Sequence, residues 1–461
     1  MTALSRYRRE AAATIVLALP VIVTQVSGVA NGFVDSVMVG RLGPNQLAGV
    51  ALGNTLWFMH MVLGMGIVTS VSPMVSQAFG RGDVDEIGRS VRQGLWLALG
   101  LGLAMMLSVR NVWPLMIRMG QDLHTVDLAR SYVRAVSWGM PAFLGFIALR
   151  GFVEALARPL IATAIALAGV LLNVVANYTL MYGHFGFPRM GLVGTGWAST
   201  MVYWFLFLSL LLVTVFNREF ASYAGYRNFH RPDPAFLVRL VRLGLPIGVS
   251  QGVEVALFMA TALMMGLLGP TALAAHQIAI QCAALTFMVP LGIGIASSVR
   301  VGIATGQHDK SGARTAGFVG VLLASAFMTC TATGFFLFPD RIVSLFLDFR
   351  SAENAPVIAI ATMLMGYAAV FQLFDGIQVS AIGALRGLKD TFVPMILTTI
   401  SYLLIGLSAG YYLGFPAGLG PRGLWSGLVV GLVVASVLLL WRFVAVTRMG
   451  GLHGELLPEQ T

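Results

Sequence analysis

Three carboxylates stand where a carboxylate is costly. Asp35, Glu254 and Asp375 lie deep in apolar sequence, whereas most of the 19 acidic residues fall in polar interruptions or at the edges of apolar runs. An ionised side chain at the centre of a membrane helix costs about 2.5–3.5 kcal/mol on insertion scales, so such residues generally face a protein interior or a water cavity. Burial without a counter-charge favours the neutral form, which allows a carboxyl group to exchange a proton. With added oxygen ligands the same group holds a hard cation such as Na+. No basic residue is an obvious partner within these three segments. The structural alternative for each acid is an inter-helix hydrogen bond or a buried ion pair.

Asn173 and Asn177 are four residues apart in an otherwise apolar segment, hence on one helical face. Their amide oxygens could complete an oxygen-rich shell with Asp35, or they could serve only to join helices. Gln25, Gln251, Gln277, Gln281, Gln372 and Gln378 are also polar in apolar context. As a group they suggest a wet cavity, and Gln25, Gln251, Gln281 and Gln378 are its candidate lining. Taken singly, a glutamine of this kind more often bonds one helix to another. Arg150 is expected to snorkel or to pair with Glu154 one turn on. No nucleotide loop, zinc spacing or nucleophile elbow is present. Cys282 and Cys330 are the two cysteines, both in apolar runs. No catalytic residue and no cofactor are expected.

The elements that must position these groups follow from composition. Of 461 residues, 57% are hydrophobic and 10% charged, against about 25% charged in a soluble domain. The mean hydropathy is +0.83. One soluble core could not hide that much apolar surface, which excludes a cytosolic enzyme, a disordered chain and a disulfide scaffold. A membrane helix needs about 20 apolar residues. Twelve such segments are centred near residues 24, 62, 106, 140, 170, 204, 254, 288, 327, 368, 402 and 434. The net charge of +10 does not imply a nucleic-acid partner, because the basic residues are scattered through short loops and form no stripe with aromatics. Nineteen of the 29 basic residues fall on the side of both termini, so that side is expected to be cytoplasmic, in the cell (inner) membrane. The longest connection, 217–236, is counted with Arg218, Arg227, Arg231, Arg239 and Arg242 and is expected to join an N-lobe (1–216) to a C-lobe (237–461) that ends in a short tail.

The chain overlays itself at a shift of 226 residues. Residues 19–48 fall on 245–274, with Pro20 on Pro246 and Gln25 on Gln251; Gly80 then meets Gly306 and Asp83 meets Asp309. Toward the end of each half the shift is 228, and Trp197 meets Trp425. Each half therefore holds six spans of one topology. An even number of spans per repeat makes the repeats parallel, with substrate expected between them. The fold class that follows is an all-α polytopic membrane protein with twelve transmembrane helices in two six-helix bundles, related by a pseudo-two-fold axis along the membrane normal. The charges are not duplicated: Asp35 falls on Thr261, and Glu254 falls on Gly28.

Four stretches carry a family resemblance: FVDSVMVGRLG (33–43), VSQAFGRGD (75–83), Glu254 after LPIGVSQGV, and FQLFDGIQVSAIGALRGLKDT (371–391). In this order and at these separations they resemble the multidrug and toxic compound extrusion (MATE) transporters, most closely the bacterial NorM-like branch. The resemblance implies export of cationic amphipathic compounds in exchange for Na+ or H+. It implies that Asp35 is the N-lobe acid, with Asn173, Asn177 and Thr195 helping it hold a cation. It also implies that Glu254 and Asp375 are the paired C-lobe acids of ion coupling. Possible Na+ sites are then Asp35 with Asn173 and Asn177, or Glu254 with Asp375. Two positions depart from the pattern. Some members carry aspartate where this chain has Asn177, and one offers a tyrosine hydroxyl where this chain has Phe371.

The function expected is secondary active antiport by alternating access, with small organic cations and the bilayer as partners, no nucleic acid, and a monomeric state. A flippase of lipid-linked oligosaccharide is the nearest alternative, but it calls for a cationic cavity, whereas the intramembrane charges here are mainly acidic. A ligand-gated channel has less need of matched repeats. Pro20 removes a backbone donor and crowds the carbonyl of Val16, which makes it the candidate hinge of the first span.

Overall fold

The computed structural model describes residues 3–118, 120–224 and 229–448. Arg227 of the connecting segment and the tail after Arg448 lie outside the described residues. Among the described residues there is no strand. Twelve helical spans are long and apolar enough to cross a membrane: Ser5–Gly40, Pro44–Arg81, Val84–Arg118, Leu123–Ala155, Leu160–Tyr182, Leu192–Phe216, Pro234–Leu267, Pro270–Gly306, Lys310–Leu337, Ala352–Gly387, Phe392–Gly414 and Pro421–Arg448. Each apolar segment found in the sequence falls in one of them. They are numbered below from first to twelfth.

The repeat is visible in backbone detail. Gly43 and Gly269 take φ of 117° and 114°, and each leads into a helix that begins with proline. Only glycine adopts that φ without strain, and proline is favoured in the first helical turn, where its missing N–H is not needed. Asp83 caps the third span by accepting from the Glu86 N–H at 2.9 Å. Its equivalent, Asp309, caps the ninth by accepting from the Gly312 N–H at 2.7 Å. A hydroxyl pair also recurs. Thr24 and Thr163 join the first and fifth spans at 2.9 Å, and Ser250 and Thr398 join the seventh and eleventh at 3.0 Å.

The chain divides into two compact units. One comprises residues 23–248; the other comprises 1–22 and all from 249 onward. The first and seventh helices run unbroken through these division points. Each helix therefore passes from one unit to the other, two residues after its internal proline, Pro20 or Pro246.

In the unit of residues 23–248, Trp57 stacks on Tyr203 with ring centroids 5.6 Å apart, inside a core that includes Met61, Val71, Leu144 and Phe152. The seventh span begins inside this unit and packs closely at Gly244, where a Cβ would stand 2.1 Å from the Ile67 carbonyl oxygen. The segment before it is strapped to the third span. Gln93 donates to the Arg231 carbonyl at 3.1 Å and accepts from the Asp233 N–H at 3.0 Å, and Arg89 pairs with Asp233.

In the other unit, Trp425, Tyr402, Phe371 and Phe443 are fully buried. The eighth and tenth spans cross where a Cβ on Gly383 would stand 2.2 Å from the Gly294 carbonyl oxygen. That close approach sets the depth of the tenth span and hence of Asp375. The leading part of the first span docks on this unit through Leu17 and Ala18 against Ile293, Ala296 and Val299. Glu10 accepts from Arg300 Nε and Nη2 at 2.7 and 2.6 Å, and Arg6 pairs with Asp309 at 3.2 Å.

Candidate functional site

Asp35 lies in the outgoing part of the first span and is half-buried. Three uncharged donors hold it. Asn173 Nδ2 and Asn177 Nδ2 of the fifth span donate to Oδ1 at 3.1 and 2.7 Å. Ser199 Oγ of the sixth span donates to Oδ2 at 3.3 Å. The Tyr132 and Tyr203 phenols are within Coulombic range of the carboxylate. Asn173 and Asn177 are buried, and among the described residues the Oδ1 of each has no hydrogen-bond partner. A buried unpaired amide oxygen costs about 1–3 kcal/mol. Each of the two lies on the same amide group whose Nδ2 meets Asp35, and oxygen is the donor a hard cation takes.

Thr195 sits elsewhere in this network. It is fully buried, and its hydroxyl donates to Met181 Sδ at 3.3 Å rather than to Asp35. The sixth span instead contributes Ser199, one turn further on. Spacing could have suggested it, since Thr195 and Ser199 share a helical face. Gln25 accepts from Arg150 Nη1 at 3.0 Å, and Arg150 also pairs with Glu154 at 3.3 Å. This arrangement ties the first span to the fourth.

The second cluster is built on the seventh, tenth and eleventh spans. Asp375 is buried, and among the described residues its Oδ1 has no hydrogen-bond partner. It is within Coulombic range of Glu254, which is half-buried. Arg386, in the last turn of the tenth helix, is within Coulombic range of Glu254. This corrects the expectation that these acids lack a basic neighbour: Arg386 belongs to Asp375's own helix, three turns away, and only folding brings it toward Glu254. Tyr402 lies within Coulombic range of both acids, and its buried hydroxyl has no hydrogen-bond partner among the described residues. The eleventh helix widens to π geometry over Ile400–Leu407 around it, a distortion frequent at functional sites. Its only sequence signal was a lone tyrosine in an apolar run.

Of the glutamines in this unit, Gln378 is buried and half-buried Gln251 also leaves its Oε1 without a partner. Gln281 is exposed. Gln372 accepts from Thr286 and Thr331 at 3.0 and 3.1 Å. Phe371 contributes no oxygen and packs edge-on to Trp425. Pro20 lies inside the continuous first helix. Among the described residues no three His, Cys, Asp or Glu side chains gather as a metal cluster.

A twelve-span helical chain with a repeated six-span unit and carboxylates held inside it defines a membrane transporter of the two-repeat class. Residues 20–179 and 246–412 match the sequence profile of the MatE family, and the chain belongs to that family. The two matched stretches start at Pro20 and Pro246, the offset of the internal repeat. A protein of Synechococcus sp. named "Probable multidrug resistance protein NorM" is 40% identical over 443 residues, covering 96% of each chain. A protein of Mesorhizobium japonicum with the same name is 39% identical, over 96% of this chain and 95% of its own. The structure is also similar to a crystal structure of MATE in the bent conformation, with a TM-score of 0.86 and 21% identity over 96% of this chain and 98% of that one. That likeness is one of fold.

Proposed function

We propose that this protein is a secondary active multidrug exporter that expels cationic amphipathic compounds in exchange for Na+ or H+. The observation that carries the reading is Asp35, an intramembrane carboxylate held by three uncharged donors beside two unpaired amide oxygens. Such a group binds a cation or a proton and gives it up again, because no fixed counter-charge neutralises it permanently. The names carried by relatives at about 40% identity support the multidrug character of the cargo.

Carboxylates shared between cargo and coupling ion account for exchange. In the state open to the cytoplasm the organic cation binds; in the state open to the outside, entry of Na+ or H+ displaces it. One elementary charge crossing 100 mV supplies about 2.3 kcal/mol, enough for roughly 50-fold accumulation at 1.4 kcal/mol per decade. The protein works as a monomeric carrier without enzymatic chemistry or cofactor, in the cell (inner) membrane with both termini cytoplasmic. Its lobes, 1–216 and 237–461, are joined by 217–236. The helices that pass between compact units just after Pro20 and Pro246 are the elements expected to bend during access change.

Dye efflux from inverted vesicles tests this reading. An imposed Na+ gradient alone, or a pH gradient alone, should drive cationic dye transport, and the gradient that works identifies the coupling ion. Dye movement indifferent to both gradients would overturn antiport.

A further inference from the structure

The arginines assigned to the membrane face opposite the termini are few, and four of them, Arg110, Arg118, Arg130 and Arg134, fall in one stretch of 25 residues. Two converge on a cavity of about 460 Å³ lined by Arg110, Ser131, Arg134, Trp138, Val193 and Trp197. It lies wholly within the unit of residues 23–248. Its volume falls in the range of small-molecule sites.

The Arg110 guanidinium is fixed in place. Nε donates to Ser137 Oγ at 2.8 Å and Nη2 to the Arg134 carbonyl at 3.0 Å. Its carbon lies 4.6 Å from the centroid of the Trp138 ring. Among the described residues Nη1 makes no hydrogen bond and is left for a ligand. Arg134 is exposed and within Coulombic range of Arg110. Among the described residues neither arginine forms a salt bridge. Two like charges held together without a carboxylate repel one another until an anion arrives. A flat belt of interfacial tryptophans would anchor the protein in the bilayer, but it would not require a concavity or a pinned guanidinium.

We propose that this cavity binds the phosphate headgroup of an anionic phospholipid in the leaflet opposite the termini. The Nη1 group of Arg110 suits a phosphate oxygen as a charge-assisted donor, and Arg134 supplies a second positive charge. The partly exposed rings of Trp138 and Trp197 provide apolar walls for the glycerol and the first acyl carbons, as tryptophan does at membrane interfaces. The site is separate from Asp35 and does not depend on the transport reading.

The test uses the purified, delipidated full chain and three probes: phosphatidylglycerol, phosphatidylcholine and inorganic phosphate. Native mass spectrometry should find one phosphatidylglycerol retained per chain in preference to phosphatidylcholine. Arg134→Gln should weaken that retention at least tenfold and leave the melting temperature in phosphatidylcholine unchanged. Should Arg134→Gln not fold, brominated lipids added to the wild-type chain provide the second measurement. Brominated phosphatidylglycerol should quench tryptophan emission more than brominated phosphatidylcholine does, and the excess should fall in Trp197→Phe and disappear when Trp138→Phe is added. Equal retention of the two lipids, or no change on Arg134→Gln, would overturn the proposal. Displacement of the lipid by millimolar inorganic phosphate, without lipid selectivity, would overturn the lipid assignment in favour of a free anion.

Discussion

Asp35 and the Glu254–Asp375 pair are carboxylates placed in two copies of one scaffold, yet they are held in opposite ways. Around Asp35 every hydrogen-bond partner is neutral: two amides and a hydroxyl. At the position equivalent to Asp35 the second copy has Thr261, whose hydroxyl donates to the Leu257 carbonyl of its own helix at 2.9 Å. The acids of the second copy lie instead on the seventh and tenth spans, near each other and near Arg386. The first arrangement controls a single charge through hydrogen bonds. The second controls it through neighbouring charges, which interact strongly in a poorly screened interior. Duplication conserved the frame, the Gly-Pro turns and the Asp caps, and left each copy free to place its own charges.

The comparison breaks most visibly at Asp375. Asp375→Asn and Glu254→Gln should each lower gradient-driven efflux by at least roughly 100-fold, as expected when a proton- or ion-carrying group is lost, with normal protein levels in the membrane. If the pair titrates as one system, the double variant should be no slower than either single one. Multiplied losses in a vesicle assay would show two separate sites.

A charge added to the neutral cradle makes the two sites more alike. Asn177→Asp should strengthen Na+ binding at the Asp35 site about tenfold, or about 1.4 kcal/mol, measured as a lower half-saturating Na+ concentration for ion binding to the purified protein.

The sixth span offers a sharper contrast. Ser199→Ala removes one donor from Asp35 at a cost of about 1 kcal/mol, or about fivefold in ion response. Thr195→Val should change the ion response by less than about twofold, since its hydroxyl meets sulfur, a weak acceptor. The reverse ranking in the same assay would place the active hydroxyl on Thr195.

The two prolines compare the crossing helices directly. Pro20→Ala should slow efflux roughly threefold by stiffening a conformational step, with substrate binding retained, while Pro246→Ala should do less, because no acid occupies the position equivalent to Asp35 beyond it. Spin labels in the outgoing part of the first span should report a distance change with pH or Na+ that Pro20→Ala reduces and Asp35→Asn abolishes.

The smallest effect is expected at the strap between the third and seventh spans. Partial burial works against the charged form of Asp233. The Phe236 N–H and the Arg89 guanidinium outweigh it and hold the carboxyl below the usual aspartate range. A carboxyl held low in the folded state stabilises above its ordinary value, and that contribution is lost as pH falls through the folded one. Asp233→Asn should therefore lower the melting temperature slightly at pH 7, by under about 1 kcal/mol of stability for so exposed a pair. The difference from wild type should fade in acid.

Hydropathy, repeat and composition made much of this protein legible in one dimension. Twelve spans, the shift of 226 with its paired prolines, and three acids in apolar surroundings all follow from sequence, because the bilayer forces each span to be locally continuous. The pairing of Asn173 with Asn177 on one face was also readable, since helical periodicity is local. Partner choice was not. That Ser199 rather than Thr195 meets Asp35, and that Arg386 and Tyr402 come within Coulombic range of the C-lobe acids, depend on which helix faces meet and at what depth. Close crossings such as Gly383 on Gly294 decide those depths. The passage of the first and seventh helices from one compact unit to the other was equally invisible, because an unbroken apolar helix carries no local mark of which bundle buries it.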